Sequence, residues 1–338
     1  MTLLPWQTEQ WQQLTKRYRQ GKLPHAILLS GPSGIGKHQF AEQLSHSLLC
    51  AEPTSNGMAC GQCRSCLLLK AENHPDLIKI EPEEAGKAIK VDQVRGLSDF
   101  SVLSAHVDGG NKVIVLDPAE NMNRAAANSL LKTLEEPVKN TILLLVTSHP
   151  QRLLATIRSR CQRLDFISPE HVLASNWLSS MQVEQPEQWL EIAGGAPLTA
   201  LRLANSVEKE DKDIIVHYQS GLDVLEALLS RQQDPISIAS KWEKTNSLRA
   251  IGWLTNWVMD LIRLASMTNM EESPPYMACP SQLLRLRALA SKLDIDGLHG
   301  YLERLYEAAR LLATTQVNQQ LLLEEILIRW AALPKNRL

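Results

Sequence analysis

Between residues 25 and 167 the chain alternates short apolar runs with longer amphipathic stretches. The apolar runs at 25–30, 77–80, 112–117, 141–147 and 163–167 are rich in β-branched and leucine residues and predict strands. The stretches at 37–49, 91–100 and 124–135 carry apolar residues at three- and four-residue spacing and predict helices. Strands alternating with helices predict a parallel sheet covered on both faces, whose ligands sit at the carboxyl ends of the strands. After Pro169 the strand-like runs stop, and Leu, Ala and Trp recur at helical spacing. Gly194-Gly195-Ala196-Pro197 breaks a first small helical unit; Asp234-Pro235-Ile236 and Ser273-Pro274-Pro275 punctuate the remainder of the chain, and 318–333 reads as a long final helix. The expected division is 1–167, an α/β domain; 168–207, a small helical domain; and 208–338, a helical bundle. No internal repeat or low-complexity segment stands out.

Composition changes this picture little. A chain of 338 residues with 44% hydrophobic and 21% charged residues is long enough for two or three cores. The net charge of −2 argues against tight binding to DNA by this chain alone, which would call for a basic surplus. No stretch of about 18 apolar residues occurs, and MTLLPWQTEQW lacks a basic region followed by an apolar run, so the expected location is cytoplasmic.

Three motifs carry candidate chemistry. Gly31-Pro32-Ser33-Gly34-Ile35-Gly36-Lys37 follows the first predicted strand and opens a helix, the context of a phosphate-binding loop. In such a loop the backbone N–H groups around Gly31, Gly34 and Gly36 cradle phosphates, the lysine reaches the outer phosphates, and a following Ser or Thr holds Mg²⁺. Here His38 stands in the place of the hydroxyl. The apolar strand Val113-Ile114-Val115-Leu116 ends in Asp117, the expected metal-associated acid, but Pro118 occupies the place of the glutamate that would position water. With two catalytic parts missing, efficient ATP hydrolysis is not expected, while binding of ATP without hydrolysis stays open. The second cluster is Cys50, Cys60, Cys63 and Cys66, four of the chain's six cysteines, whose C-x9-C-x2-C-x2-C spacing predicts a closed structural Zn²⁺ site. Cys161 and Cys279 stand alone and are read as small buried hydrophobes. The third motif, Ser159-Arg160-Cys161, lies just before the last predicted strand and says little by itself.

Together with the run Asn128-Ser129-Leu130-Leu131-Lys132-Thr133-Leu134-Glu135-Glu136-Pro137 and the segment 318–324, these motifs resemble the AAA+ clamp-loader family of the bacterial DNA polymerase III holoenzyme. The match extends over most of the chain, though the C-terminal third is matched mainly by its final helix. The resemblance implies an α/β AAA+, P-loop NTPase-like domain with a four-Cys zinc module at 50–66, then a small helical lid domain and an all-α C-terminal collar. Motor subunits of that family, gamma and tau, carry Lys-Thr in the loop, Asp-Glu after the strand, and an arginine in a second-domain Gly-Ser-x-Arg element. This chain has Lys37-His38, Asp117-Pro118 and Gly194-Gly195-Ala196-Pro197-Leu198, so it is similar to a non-motor, stator-like member. The resemblance further implies a hetero-pentameric ring with gamma or tau and the delta subunit, which loads a sliding clamp onto primed DNA within a nucleoid-associated replisome. Within the ring, Arg160, flanked by Ser159, would complete a neighbour's ATP site as an arginine finger. Arg158, two residues away, is the rival for that role. Such a chain belongs to a nucleotidyltransferase assembly without being the polymerase itself. The alternatives are an ATP-hydrolysing motor with a variant loop, and a zinc-dependent nucleic-acid module. Only Arg64 and Lys70 lie close to the cysteines, which weighs against the last. Arg95 reads as part of a solvated helix face rather than as a DNA contact.

Overall fold

The computed structural model describes residues 3–84, 86–102, 110–206, 214–243, 247–267, 274 and 276–333. The chain divides into two compact units, Met1–Pro169 and Glu170–Leu338. In chain order the first unit holds α1 (Thr8–Arg19), β1 (Ala26–Ser30), α2 (Lys37–Leu49), α3 (Arg64–Lys70), β2 (Leu77–Ile80) and α4 (Val91–Val102). It continues with β3 (Lys112–Leu116), α5 (Arg124–Glu135), β4 (Thr141–Thr147), α6 (Ala155–Arg158) and β5 (Gln162–Asp165). All five strands are parallel, in the order β2-β3-β4-β1-β5.

The inner strands β3, β4 and β1 read as largely apolar runs because both their faces are covered, whereas the edge strands β2 and β5 carry exposed positions. In β1, Ile27 and Leu29 pack with Phe40 and Leu44 of α2 and with Trp11 and Leu14 of α1. Their neighbours Ala26 and Leu28 join Leu130 and Leu134 of α5 on the opposite face. The same alternation holds in β3 and β4, as successive side chains of a pleated strand require. Hairpins cannot join parallel strands, so the chain crosses over through helices and leaves the loops after β1 and β3 at one edge of the sheet. That edge positions the candidate site.

The second unit is helical among its described residues: α7 (His171–Ser180), α8 (Pro186–Ile192), α9 (Pro197–Ser206), α10 (Ile214–Leu229), α11 (Pro235–Glu243), α12 (Ser247–Ala265), α13 (Leu283–Ala290), α14 (Ile295–Thr314) and α15 (Gln319–Ala331). Trp189, Trp253, Trp257 and Trp330 are buried in one apolar cluster reaching from α7 to α15. The glycine pair ends α8, with the N–H groups of Gly194 and Gly195 donating to Glu191 and Leu190 carbonyls, and Pro197 starts α9. The expected break at 207–208 lies outside the described residues, as does the Ser273-Pro274-Pro275 turn apart from Pro274. Asn318 caps α15 by accepting from the Leu321 N–H, one residue before the helix begins at Gln319. Among the described residues, no helix is long and apolar enough to cross a membrane.

Candidate functional site

The loop after β1 keeps the form of a phosphate cradle. Gly36 is the N-cap of α2 at φ 91°, a left-handed conformation that suits glycine, and Gly34 turns the loop just before it. Gly31 lies against the chain leaving β5: a Cβ there would stand 2.2 Å from the Phe166 carbonyl oxygen. The N-terminal segment braces the loop from outside. Trp6 Nε1 donates to the Ile35 carbonyl at 2.9 Å, and the buried Gln7 amide donates to the Gly36 carbonyl at 2.8 Å.

Inside the cradle most of the polar groups are bonded to one another. Lys37 Nζ donates to the Pro32 carbonyl at 2.6 Å and to Ser148 Oγ, just past the end of β4, at 3.1 Å. Burial lowers the Lys37 pKa to about 8, against the pull of Glu120 and Asp117. His38 Nδ1 lies 2.6 Å from Asp117 Oδ2, so the residue replacing the metal-binding hydroxyl is bonded to the acid expected to serve the same metal. That hydrogen bond raises the His38 pKa above 6.5. Glu120 is the glutamate nearest in sequence to the missing water-positioning one. Its carboxylate instead accepts from the Ser148 N–H at 2.9 Å and pairs with His149 Nδ1 at 3.3 Å. Burial alone would raise the Glu120 pKa, but the hydrogen bonds from His149, Ser148 and Thr147 hold it at about 2. The fold therefore brings the loop of Gly31, Gly34, Gly36 and Lys37 up to Asp117, and pairs that acid with His38. Glu120 and Ser148 complete this network, and no short motif marks either of them.

The four cysteines also converge. Their Sγ atoms lie within 4.8 Å of one another, with Cys50–Cys63 and Cys60–Cys66 both at 3.9 Å. Thiolates around one tetrahedral ion, at about 2.3 Å each, would stand roughly 3.8 Å apart, so the donor set fits a closed four-sulfur metal site. Backbone N–H groups of Cys60, Cys63 and Cys66 point at the sulfurs of Cys50, Cys60 and Cys63 at 3.3–3.5 Å. Burial pushes the Cys50 thiol up, whereas at Cys63 hydrogen bonds outweigh burial and bring the thiol down to about 6. Cys63 caps α3, which carries Cys66 into the cluster. Ser65 and His74, hydrogen-bonded to each other at 2.6 Å, and Ser65 Oγ on the Leu49 carbonyl fasten the module to the domain. Cys161 is buried, and burial pushes its thiol up to about 11. Cys279 is also buried but has polar company: Tyr218 Oη lies 2.7 Å from its sulfur, and its N–H donates to Asp260.

Ser159, Arg160 and Arg158 stand exposed at the end of α6. Ser159 Oγ donates to the Thr156 carbonyl at 3.1 Å. Arg160 Nη1 donates to the same carbonyl at 3.0 Å, and its Nη2 pairs with Glu135 Oε1 at 2.7 Å. Arg95 pairs with Asp92 within α4 on an exposed face, as a solvated helix surface would.

Residues 6–170 match the family model described as DNA polymerase III, delta subunit, and residues 216–332 match the model of its C-terminal part. The chain is 37% identical to DNA polymerase III subunit delta' of Pseudomonas aeruginosa, covering 98% of both proteins. Identity to the Escherichia coli subunit of the same name is 30%, covering 97% of this chain and 95% of that protein. A solved gamma subunit-related protein of Thermotoga maritima aligns with 96% of this chain and 99% of its own, at 17% identity and a TM-score of 0.40, too slight to bear on function. With relatives 30–37% identical along nearly their whole length and matching models on both units, the chain belongs to the DNA polymerase III subunit delta' family.

Proposed function

We propose that this chain is a non-motor, stator subunit of the clamp loader, helping to load the sliding clamp onto primed DNA. In this reading it completes a hetero-pentameric ring with gamma or tau subunits and a delta subunit, and reaches clamp and DNA through that assembly. The observation that carries it is the 2.6 Å bond between His38 and Asp117. Mg²⁺ needs hard oxygen ligands, and here one ligand position is an imidazole bonded to the other. Pro118 removes the water-positioning carboxylate, so a nucleotide reaching Lys37 and the loop glycines is held without being hydrolysed.

The chemistry moves to Arg160, flanked by Ser159, which acts in trans on ATP bound by a neighbouring motor subunit. A planar guanidinium against the γ-phosphate offsets charge developing in the transition state and is worth about 10³–10⁵ in rate at a single site. Cys50, Cys60, Cys63 and Cys66 would hold a structural Zn²⁺, which ties the segment between α2 and α3 into one compact module. Residues 168–207 and 208–338 would serve as lid and collar, the collar joining the ring.

Two measurements test this function. The isolated chain should hydrolyse no ATP above background; steady turnover by the purified protein would instead favour a motor. In the reconstituted loader, Arg160→Ala should lower DNA-stimulated ATPase by about tenfold or more while the ring still assembles. Arg158→Ala should have little effect; the reverse result would move the finger to Arg158.

A further inference from the structure

Resting on the reading of Arg160 as the finger, we propose that Glu135 is its positioning residue, holding the guanidinium ready for the neighbour's ATP before the ring closes on it. Glu135 is the last residue of α5, and its Oε1 lies 2.7 Å from Arg160 Nη2. A carboxylate in that place opposes the negative end of the helix dipole, so α5 alone gives no reason for an acid there. Arg160 supplies the compensating charge and meets the helix end at the same point. Its other terminal nitrogen is fixed from beneath, where Nη1 donates to the Thr156 carbonyl. One group thus anchors the guanidinium to its own helix, and the other stretches it across to α5.

The frame behind both anchors is stiff. Leu130 and Leu134 of α5 and Ile157 of α6 are buried in one apolar cluster with Leu153 and Cys161. His25 Nε2 lies 3.2 Å from the Leu134 carbonyl, tying the end of α5 to the start of β1. The ion pair itself faces water, with the side chains 36% and 50% exposed, so it adds little to stability. Its effect is on orientation. A free arginine side chain samples many rotamers, whereas one held at both nitrogens presents its remaining N–H donors in a single direction. Glu136, the next residue, is the C-cap of α5 and a natural control.

The test is steady-state ATPase of the reconstituted loader, stimulated by clamp and primed DNA, with Glu135→Ala, Glu135→Gln and Arg160→Ala singly and in combination. We expect Glu135→Ala to lower kcat about three- to tenfold with KM for ATP unchanged, and Glu135→Gln, which keeps the acceptor oxygen, to recover most of the rate. In an Arg160→Ala background Glu135→Ala should bring no further loss, because its whole effect passes through Arg160. Glu136→Ala should leave the rate unchanged. Unaltered kcat for Glu135→Ala in a loader that remains sensitive to Arg160→Ala overturns the positioning role, as does an equal loss in the Arg160→Ala background, which marks a structural role. A faster Glu135→Ala loader also overturns it, since Glu135 would then compete with the γ-phosphate for the guanidinium. Insensitivity to Arg160→Ala overturns the finger itself, which separates the two failures.

Discussion

At residue 38 an imidazole stands where a hydroxyl would bind metal, and Asp117 is its partner. His38 titrates above 6.5 chiefly because of that hydrogen bond. A raised pKa means that the pair's stabilisation is complete below about pH 6.5 and is lost as pH rises through the folded value. Histidine NMR should place His38 above 6.5, and Asp117→Asn should bring it down; an unchanged value would break the pairing. Glu120 has the opposite sign. Its folded pKa of about 2 lies below the usual 4.5, so its contribution, up to about 3 kcal/mol, is present above pH 4.5 and lost as pH falls toward 2. Glu120→Gln should therefore flatten the acid side of the stability profile, measured by urea unfolding between pH 2 and 6.

Elements show where sequence patterning is sufficient and where it is not. The β1, β3 and β4 strands were legible because burial on both faces demands uninterrupted apolar residues, and the loop glycines because phosphate cradles need their backbone freedom. Strand ends moved by one or two residues: Asp117 lies just past β3, and β5 begins at Gln162. Hydrogen bonding to neighbours sets those ends, and periodicity does not carry that information. The four-cysteine module was legible from spacing, since C-x2-C turns bring thiols to one point. Cys60→Ser should abolish stoichiometric zinc in metal analysis and expose the 51–63 loop to protease while the sheet stays folded. Full zinc content in that variant would remove Cys60 from the ligand set.

Across the whole molecule, the two units carry separate apolar cores, one set within residues 11–166 and one within 174–330. The thiol cluster belongs to the first alone. A strong chelator should lower the unfolding temperature of the unit containing the sheet and leave the helical unit's transition in place. A single transition shifting as one would show that the units unfold together.

The local chemistry of this protein was determined by sequence: a glycine loop with Lys37 but no following hydroxyl, an acid followed by proline, four spaced cysteines, and an arginine before the last strand. Each of these depends on residues close together in the chain, where spacing translates directly into geometry. Only the tertiary structure decided which distant groups meet. His38 reaches Asp117 across 79 residues, and Ser148 reaches both Lys37 and Glu120. Glu135 and Arg160 meet because α5 and α6 bury apolar faces in the same cluster. Apolar periodicity states which face of an element turns inward, not which partner it finds there. The strand order β2-β3-β4-β1-β5 makes that choice, and with it His38 meets Asp117 while Arg160 stays exposed.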